Sequence, residues 1–183
     1  MSKTIDAKAV SIKGRRVLFD ANIWLILNGY SGSAPHRADI YSESYKKLLA
    51  NGNTVVVNDY ILGEYCNRCC KLEYESHKRC SDNPDRFPSY KEYRKTREFL
   101  PVMESVRDDC LNILDDCEFV AVKGDHYDIA EILNKFCDGS MDFTDMITTK
   151  YCASEDVVLM TDDRDFVGCN LEIITANKRL LDQ

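Results

Sequence analysis

Short apolar runs alternate with longer amphipathic stretches along this chain. Five runs have the length and the apolar or β-branched composition of buried strands: 16–20 (RVLFD), 54–57 (TVVV), 118–122 (EFVAV), 157–161 (VVLMT) and 171–174 (LEII). Helices are predicted between them, at 22–28, 39–50, 58–75, 90–99, 101–116, 125–137 and 142–154. Because strands that alternate with helices form parallel sheets covered on both faces, the pattern predicts an α/β fold. We expect a three-layer α/β/α sandwich whose central, mainly parallel sheet has about five strands.

Two stretches lack a periodic pattern and are predicted to be irregular. Residues 30–37 are rich in Ser, Gly and Pro, and residues 76–88 contain two prolines and several charges. At 183 residues the chain has the length of one domain with a full core. We therefore expect a single domain over residues 1–183.

Composition narrows the class of protein. Apolar residues make up 44% of the chain and charged residues 30%, as is usual for globular proteins. The sequence contains neither a long apolar span nor the apolar region of a secretory signal, so we expect a cytoplasmic protein without a membrane segment. The net charge of −7 disfavours a protein that coats nucleic acid non-specifically, although clustered acids that hold cations also lower net charge.

The nine cysteines are odd in number and show no disulfide-scaffold spacing, which favours reduced thiols. Cys66, Cys69 and Cys70 fall at i, i+3 and i+4 of one predicted helix, the spacing of a buried face. A zinc site is the less favoured interpretation, since no second C-x-x-C and no histidine pair accompanies them.

Acidic residues stand where the predicted strands end. Ligands of parallel α/β sheets bind beyond the carboxyl ends of the strands, so these acids are the candidates for chemistry. Two of them, Asp142 and Asp145, are one helical turn apart and therefore share a helix face. The candidates are Asp20 after the first strand, Asp162 and Asp163 after the fourth, Glu64 in the helix after the second strand, and Asp142 and Asp145 at a helix start.

Each acid also has an ordinary explanation. Asp20 can cap the following helix, and Asp142 and Asp145 can favour a helix dipole. Glu64 can be a solvated helical residue. The ordinary and the metal-site interpretations differ in whether the acids lie close together in the fold. Two carboxylates about 4 Å apart repel by roughly 4 kcal/mol at an effective dielectric near 20. A cluster of them must protonate or bind a cation, and oxygen ligands favour Mg²⁺ or Mn²⁺. Such ions promote hydrolysis of phosphodiesters.

Four segments of the chain resemble the signature segments of the PIN-domain ribonucleases, in the same order and on the same predicted elements. Together they make a specific pattern, whereas each alone is weak, and the resemblance extends over about residues 15–175. The segments are VLFDANIWL (17–25), NDYILGEY (58–65), MDFTDMITT (141–149) and LMTDDRDF (159–166).

The resemblance implies a role for particular residues and a set of partners. Carried over by position, Asp20, Glu64, Asp145 and Asp163 are the metal-site acids, and one or two Mg²⁺ or Mn²⁺ ions activate a water that cuts RNA. Many members are toxins that form homodimers and pair with an antitoxin, so an RNA substrate, an antitoxin protein and a second copy are the implied partners. The implied supporting residues are Asn22 and Thr161, which orient the acids, and the additional acids Asp142 and Asp165.

The chain departs from compact toxin-type members in its middle. The distance from Glu64 to Asp142 is longer, which predicts a helical insertion at about 76–116 and weakens a direct transfer of toxin biology. Lys and Arg outnumber acids between residues 68 and 97 and alternate with aromatic residues, a composition that suits single-stranded RNA. A solvated helical face explains this composition equally well. The candidate RNA-binding residues are Arg68, Lys71, Arg94 and Arg97.

Two other functions compete with the metal-dependent endoribonuclease. A catalytically silent PIN-like module would bind RNA or protein with acids that no longer act, although such modules tend to lose one of the four. A phosphatase with Asp20 as the nucleophile would need a second aspartate two residues later, where this chain has Asn22.

Overall fold

The computed structural model describes residues 3–30, 35–83, 85–125 and 127–182. Within these ranges the strands are β1 (Lys3–Asp6), β2 (Arg16–Phe19), β3 (Thr54–Asn58), β4 (Glu118–Val120), β5 (Val158–Met160) and β6 (Glu172–Thr175). The α-helices are α1 (Ala21–Leu27), α2 (Pro35–Ala50), α3 (Asp59–Cys80), α4 (Tyr90–Tyr93), α5 (Leu100–Asp116), α6 (Ile129–Phe136), α7 (Phe143–Ser154) and α8 (Lys178–Leu181). Short 3₁₀ turns occupy Ala7–Ala9, Arg97–Phe99 and Arg164–Phe166.

All strand pairs in the sheet are parallel, in the order β1-β6-β5-β2-β3-β4. From β2 the chain builds the sheet outward through β3 and β4, and then crosses to the other side of β2 to add β5 and β6; β6 lies between β5 and the first strand of the chain, β1. The strand order therefore reverses between β2 and β5, the position where open parallel sheets leave a crevice for ligands. The predicted three-layer sandwich with a parallel sheet is confirmed.

The sheet has one strand more than the sequence pattern predicts. Strand β1 reads Lys-Thr-Ile-Asp and none of its residues is buried, so it carries no apolar run that marks a strand. It pairs only with β6, at the sheet edge. Helix α8 was also missed, because four residues are too few to show helical periodicity.

Several element boundaries differ from the predicted ones for identifiable reasons. Helix α2 begins at Pro35, so the predicted loop 30–37 is wrong at its end; residues 31–34 of that loop lie outside the described residues. Helix α3 continues to Cys80, which moves the start of the irregular stretch from residue 76 to residue 81. Helix α6 starts late because the Asp128 carboxylate caps it, accepting hydrogen bonds from the backbone N–H groups of Ala130 and Glu131.

The predicted helix 90–99 is divided into α4 and the 3₁₀ turn Arg97–Phe99. Together with α5, which packs against α3, these elements make up most of the chain between α3 and β4. Whether this region is an insertion, as predicted for about 76–116, stays a prediction.

The core lies between the sheet and the helices that cover it. The central strands carry the most deeply buried side chains, including Leu18, Phe19, Val56 and Leu159, each with no exposed surface. A smaller cluster of Ile132, Met146 and Ile147 joins α6 to α7. Among the described residues, no helix is both long and apolar enough to cross a membrane.

Candidate functional site

Asp20 stands at the carboxyl end of β2, on the residue that precedes α1. Its side chain is 5% exposed and does not cap the helix, which removes the ordinary explanation for an aspartate at this position. Instead, its Oδ2 accepts a hydrogen bond from the Oγ1 of Thr161 at 2.6 Å and a short one from the Nδ2 of Asn22. Asp20 is therefore a buried carboxylate with two donors on one of its oxygens.

The two donors are also bonded to each other and to the neighbouring strand end. The Nδ2 group of Asn22 donates to the Oγ1 of Thr161 at 3.2 Å, and the Oδ1 of Asn22 accepts from the backbone N–H of Asp162 at 3.1 Å. The backbone N–H of Asp163 donates to the Oγ1 of Thr161 at 3.0 Å. This network ties the end of β2 to the segment after β5. It places Asn22 and Thr161 where the resemblance implied, beside the acids.

Helix α7 brings Asp145 into the same region. Asp142 occupies the residue before the helix without capping it, and Asp145 lies one turn further on. The pKa of Asp145 is raised to about 8, first by burial and then by the negative charges of four other acids. Those acids are Asp20, Glu64, Asp163 and Asp142. Asp145 is therefore close enough to each of these acids for their charges to affect its pKa.

The remaining acids respond in the same way. The pKa of Asp20 is raised to about 7, mainly by burial; the Thr161 hydrogen bond opposes this increase, and the charges of Glu64 and Asp163 add to it. Burial also raises the pKa of Glu64, with Arg68 acting in the opposite direction. We call Asp20, Glu64, Asp145 and Asp163 the acidic site. Its members come from β2, α3, α7 and the turn after β5, so the structure brings together the four acids that the sequence selected.

The two adjacent aspartates after β5 have different environments. Asp162 forms an ion pair with Arg37, accepts a 2.7 Å hydrogen bond from the hydroxyl of Tyr41, and its backbone carbonyl accepts one from the side chain of Asn177. Asp163 uses its Oδ1 to accept from the backbone N–H of Asp165, and its charge acts on Asp20, Glu64 and Asp145. The structure thus places Asp163, and not Asp162, with the acidic site.

Two supporting acids lie at the margin. Asp142 is exposed and acts on Glu64 and Asp145 through its charge. Asp165 is exposed, approaches the side chain of Arg164 to 3.7 Å, and lines a neighbouring cavity of about 370 Å³ between α6, α7 and the turn after β5.

The candidate RNA-binding residues have mixed surroundings. Arg68 lies on α3 close enough to Glu64 to lower its pKa, and Arg94 stacks over the Tyr90 ring at 5.7 Å. Lys71 and Arg97 are exposed. The aromatic residues that alternate with them pack on one another: Tyr93 is buried, contacts Phe87 and Phe99, and stacks on His77 with ring centroids 4.3 Å apart. Tyr93 therefore lies inside this cluster, whereas the rings of Tyr74 and Tyr90 are only partly buried, and RNA binding by this region stays a prediction.

The chemistry of the acidic site suits a divalent cation. Within the described ranges, no hydrogen bond or ion pair engages the carboxylates of Glu64 and Asp145, although both are partly buried. Unpaired, partly buried carboxylates are the oxygen donors that Mg²⁺ and Mn²⁺ prefer. The described part of the chain holds no group of three His, Cys, Asp or Glu side chains spaced to hold a metal ion, so metal binding stays a prediction.

Two cysteines lie close enough to the acidic site for its charges to affect their pKa. The pKa of Cys152 and of Cys169 is raised first by burial and then by the charges of Asp20 and Asp145, respectively. Cys69 and Cys70 are buried on α3, while Cys66 places its Sγ 3.4 Å from the Sγ of Cys110 on α5. Burial raises the pKa of Cys69 and Cys110 to about 12, so both are protonated thiols in the helix interface.

Sequence reasoning missed the residues that surround Asp162. Arg37, Tyr41 and Asn177 come from α2 and from the turn before α8, and none belongs to a recognisable motif. Their only common property is proximity in the fold, which a single sequence does not reveal.

Comparisons with known proteins rest on structure alone. No protein-family model matches the chain, and no curated protein sequence does. The chain is similar to a solved structure of VapBC2 from Rickettsia felis bound to a DNA fragment from its promoter, with 14% identity, a TM-score of 0.51, and coverage of 87% of this chain and 98% of that one. It is also similar to PAE2754 from Pyrobaculum aerophilum, with 14% identity, a TM-score of 0.50, and coverage of 92% and 89% respectively.

Both likenesses span nearly all of the chain and of the matched chains. At this identity they establish the fold and not the activity. The fold is that of a PIN domain, as the four sequence segments implied.

Proposed function

We propose that this chain is a divalent-metal-dependent endoribonuclease. The observation that carries the proposal is the convergence of Asp20, Glu64, Asp145 and Asp163 from four distant segments onto one edge of a PIN-domain fold. A structural role does not account for this convergence, because burial and mutual repulsion raise the pKa of Asp145 to about 8 and destabilise the charged fold. A function that uses the negative charge does account for it.

The four acids would hold one or two Mg²⁺ or Mn²⁺ ions. When bound, such an ion lowers the pKa of a water molecule and stabilises negative charge on a phosphodiester. The carboxylates supply the oxygen ligands, and Thr161 and Asn22 fix Asp20 so that its Oδ1 remains free of their hydrogen bonds. Donors that orient a ligand in this way commonly affect metal affinity or activity by about 10–100-fold. Asp142 adds negative charge at the margin of the site.

The test is an RNA cleavage assay with structured and single-stranded RNA in Mn²⁺, in Mg²⁺ and in EDTA. Asp20→Asn and Asp145→Asn keep the shape of each side chain and remove its charge. We expect cleavage by the wild type with either ion, none in EDTA, and a loss of at least about 1,000-fold in both variants, in line with the several kcal/mol that metal catalysis supplies.

Asp115→Asn is the matched control, because Asp115 is an exposed aspartate on α5 and belongs to no site described above. It should cut like the wild type. If the wild type and both site variants leave every RNA equally intact while the wild type still binds RNA, the chain is a silent PIN-like binding module instead.

We further propose that a protein partner regulates the acidic site. The matched VapBC2 structure is a complex, which makes an antitoxin-like partner a reasonable extension for this chain. An arginine from such a partner would fit a pocket of unpaired carboxylates. Co-expression with the product of the neighbouring open reading frame should give a complex and relieve any toxicity. If no complex forms and toxicity persists, no such partner is encoded there. Light scattering of the purified chain measures whether it forms the implied homodimer.

A further inference from the structure

A second pocket adjoins the acidic site on the side of α8. It has a volume of about 480 Å³ and shares Asp163 and Asn22 with the surroundings of the acidic site. We call it the arginine pocket, because it takes one arginine from each of three elements. Its lining residues are Asn22, Arg37, Asp162, Asp163, Arg164, Asn177 and Arg179.

The three arginines differ in what already binds them. Arg37 is committed to its ion pair with Asp162, which Tyr41 also holds in place. Arg164 has only a 3.7 Å approach to the exposed carboxylate of its neighbour Asp165, an interaction of little energetic weight. Within the described residues, the guanidinium of Arg179 has no carboxylate partner. Two guanidinium groups therefore remain available to a ligand.

The framework behind these two arginines is ordered by hydrogen bonds. The Nδ2 of Asn177 donates to the backbone carbonyl of Asp162 at 2.7 Å, and its Oδ1 accepts from the backbone N–H of Arg179 at 3.1 Å. The turn that carries Arg179 is thus fastened to the segment that carries Asp163 and Arg164. A ligand that binds both arginines is held at a fixed position relative to the acidic site.

The charges of the arginine pocket indicate the chemical class of that ligand. Among the lining residues Asp162 is neutralised by Arg37, which leaves the charges of Arg164 and Arg179 against the one charge of Asp163. The exposed Asp165, which does not line the pocket, approaches Arg164 to 3.7 Å and offsets part of this excess, in a chain of net charge −7. Guanidinium groups bind phosphate oxygens in a bidentate manner. An RNA strand that places one phosphate at the acidic site carries further phosphates on either side of it. These flanking phosphates lie beyond the acidic site, so they need positively charged side chains as partners.

We propose that Arg164 and Arg179 bind a phosphodiester of the RNA that flanks the one positioned at the acidic site. This rests on the proposed ribonuclease function for the identity of the strand. The pocket gives the substrate a direction across the protein, from the acidic site toward α8. It also accounts for how an acidic protein binds a polyanion locally without a basic surface overall.

The test measures binding, separately from cleavage. Fluorescence anisotropy of a labelled single-stranded RNA is recorded in EDTA and again in Ca²⁺, for the wild type, Arg164→Ala and Arg179→Ala. We expect each substitution to weaken binding about tenfold, as for removal of a hydrogen bond to a charged group. The slope of log affinity against log salt should also decrease by about 0.7 for each phosphate that the variant no longer binds. Arg107→Ala is the matched control, since Arg107 is an exposed arginine on α5 that pairs with Asp108, and it should change neither quantity.

The position of the bound phosphate is found with RNAs that carry one neutral methylphosphonate linkage each. At one linkage the affinity of the wild type should fall as far as Arg179→Ala lowers it, and the variant should show no further decrease, because both changes remove the same ion pair. RNAs with and without a 5′-phosphate test whether the bound phosphate is the terminal phosphate of the RNA and not an internal phosphodiester. If the Arg179→Ala effect disappears when the terminal phosphate is removed, the pocket holds an RNA end and the proposal is wrong.

Equal affinities and salt slopes for the wild type, Arg164→Ala and Arg179→Ala would also overturn the proposal. Arg179→Lys keeps the charge and guards against a folding artefact, and thermal melting of each variant checks that the fold persists. The two proposals fail differently. A protein that binds RNA through these arginines and does not cut it contradicts the ribonuclease, whereas one that cuts RNA equally well without them contradicts only the arginine pocket.

Discussion

The hydroxyl of Thr161 donates a 2.6 Å hydrogen bond to the buried carboxylate of Asp20, which lies 141 residues earlier in the chain. This bond opposes the increase that burial causes in the pKa of Asp20, so it keeps the carboxylate closer to its charged form. Thr161 is itself fully buried, and its hydroxyl is the centre of the network that joins β2 to β5.

Replacing Thr161 by valine should impair activity more than stability. The side chain keeps its volume, but Asp20 loses a donor, and we expect RNA cleavage to fall by about 10–100-fold with a cost of roughly 1–3 kcal/mol in unfolding free energy. Cleavage rates and urea melts measure the two effects. Thr161→Ser keeps the hydroxyl and should retain most of the activity; a Val variant as active as Ser would show that the hydrogen bond does not matter.

The stability of the protein in EDTA should depend on pH in a direction set by Asp145. Its folded pKa of about 8 lies above the ordinary value of 3.8, so the folded state binds more protons than the unfolded state between these values. Stability must therefore fall as pH rises through this window, and Asp20, with a pKa of about 7, adds to the fall. Thermal melts from pH 5 to pH 8.5 measure it.

Asp145→Asn supplies the control for this pH dependence. The variant lacks the titrating group, so it should melt above the wild type at pH 8.5, and the difference should shrink toward pH 5. For a chain of this length each kcal/mol corresponds to about 2–4 °C. A wild type that becomes more stable as pH rises from 5 to 8.5 would contradict the placement of these acids.

Adding a divalent ion should reverse the loss of stability. Mn²⁺ at about one hundred times its dissociation constant contributes about 2.7 kcal/mol through binding to the folded state alone. We expect the wild type to melt at least about 5 °C higher with Mn²⁺ than with EDTA at pH 8.5. The effect should be smaller at pH 6, where protons compete for Asp145 and Asp20. A matched ionic strength of KCl should produce no such shift, and neither should Mn²⁺ added to Asp145→Asn.

Tyr65 offers a test of how firmly the middle of the chain is attached. Its ring is fully buried on α3, and its hydroxyl donates to the Oδ2 of Asp109 on α5 at 3.0 Å and accepts from the Nδ2 of Asn28 at 2.8 Å. Tyr65→Phe should cost about 1–2 kcal/mol, measured by urea unfolding, and leave cleavage unchanged. No measurable cost would mean that α5 is not held as described. Tyr60→Phe is the matched control, because the Tyr60 hydroxyl has only a 3.4 Å contact to Tyr127.

The sequence alone was sufficient to predict elements and candidate site residues where the two coincide. Asp20 and Thr161 stand at the ends of apolar runs, and Asn58 has the position and chemistry of a helix cap, which it fills by accepting from the backbone N–H of Ile61. Local pattern and fold agree at these points, so the strands and the polar residues at their ends could be predicted together.

The sequence failed where the relevant information lies between distant segments. Nothing near Arg37 indicates that it neutralises Asp162, and nothing near Arg179 indicates that it faces Arg164. Composition also does not tell which aromatic rings are exposed: of the tyrosines in α3 and α4 that accompany the basic residues, Tyr93 is buried while Tyr74 and Tyr90 are partly exposed. Edge strand β1 was not predicted, because it is a strand through its pairing with the distant β6 and has no buried apolar run.

The order of strands has a consequence for synthesis on the ribosome. Strand β1 pairs with β6 and β2 pairs with β5, so both early strands acquire these neighbours only after residues 158–175 have been made. Until then Asp20 has neither Thr161 nor Asp163 beside it. A nascent chain that ends before residue 158 therefore has Asp20 without the donor and the acid that accompany it in the folded protein.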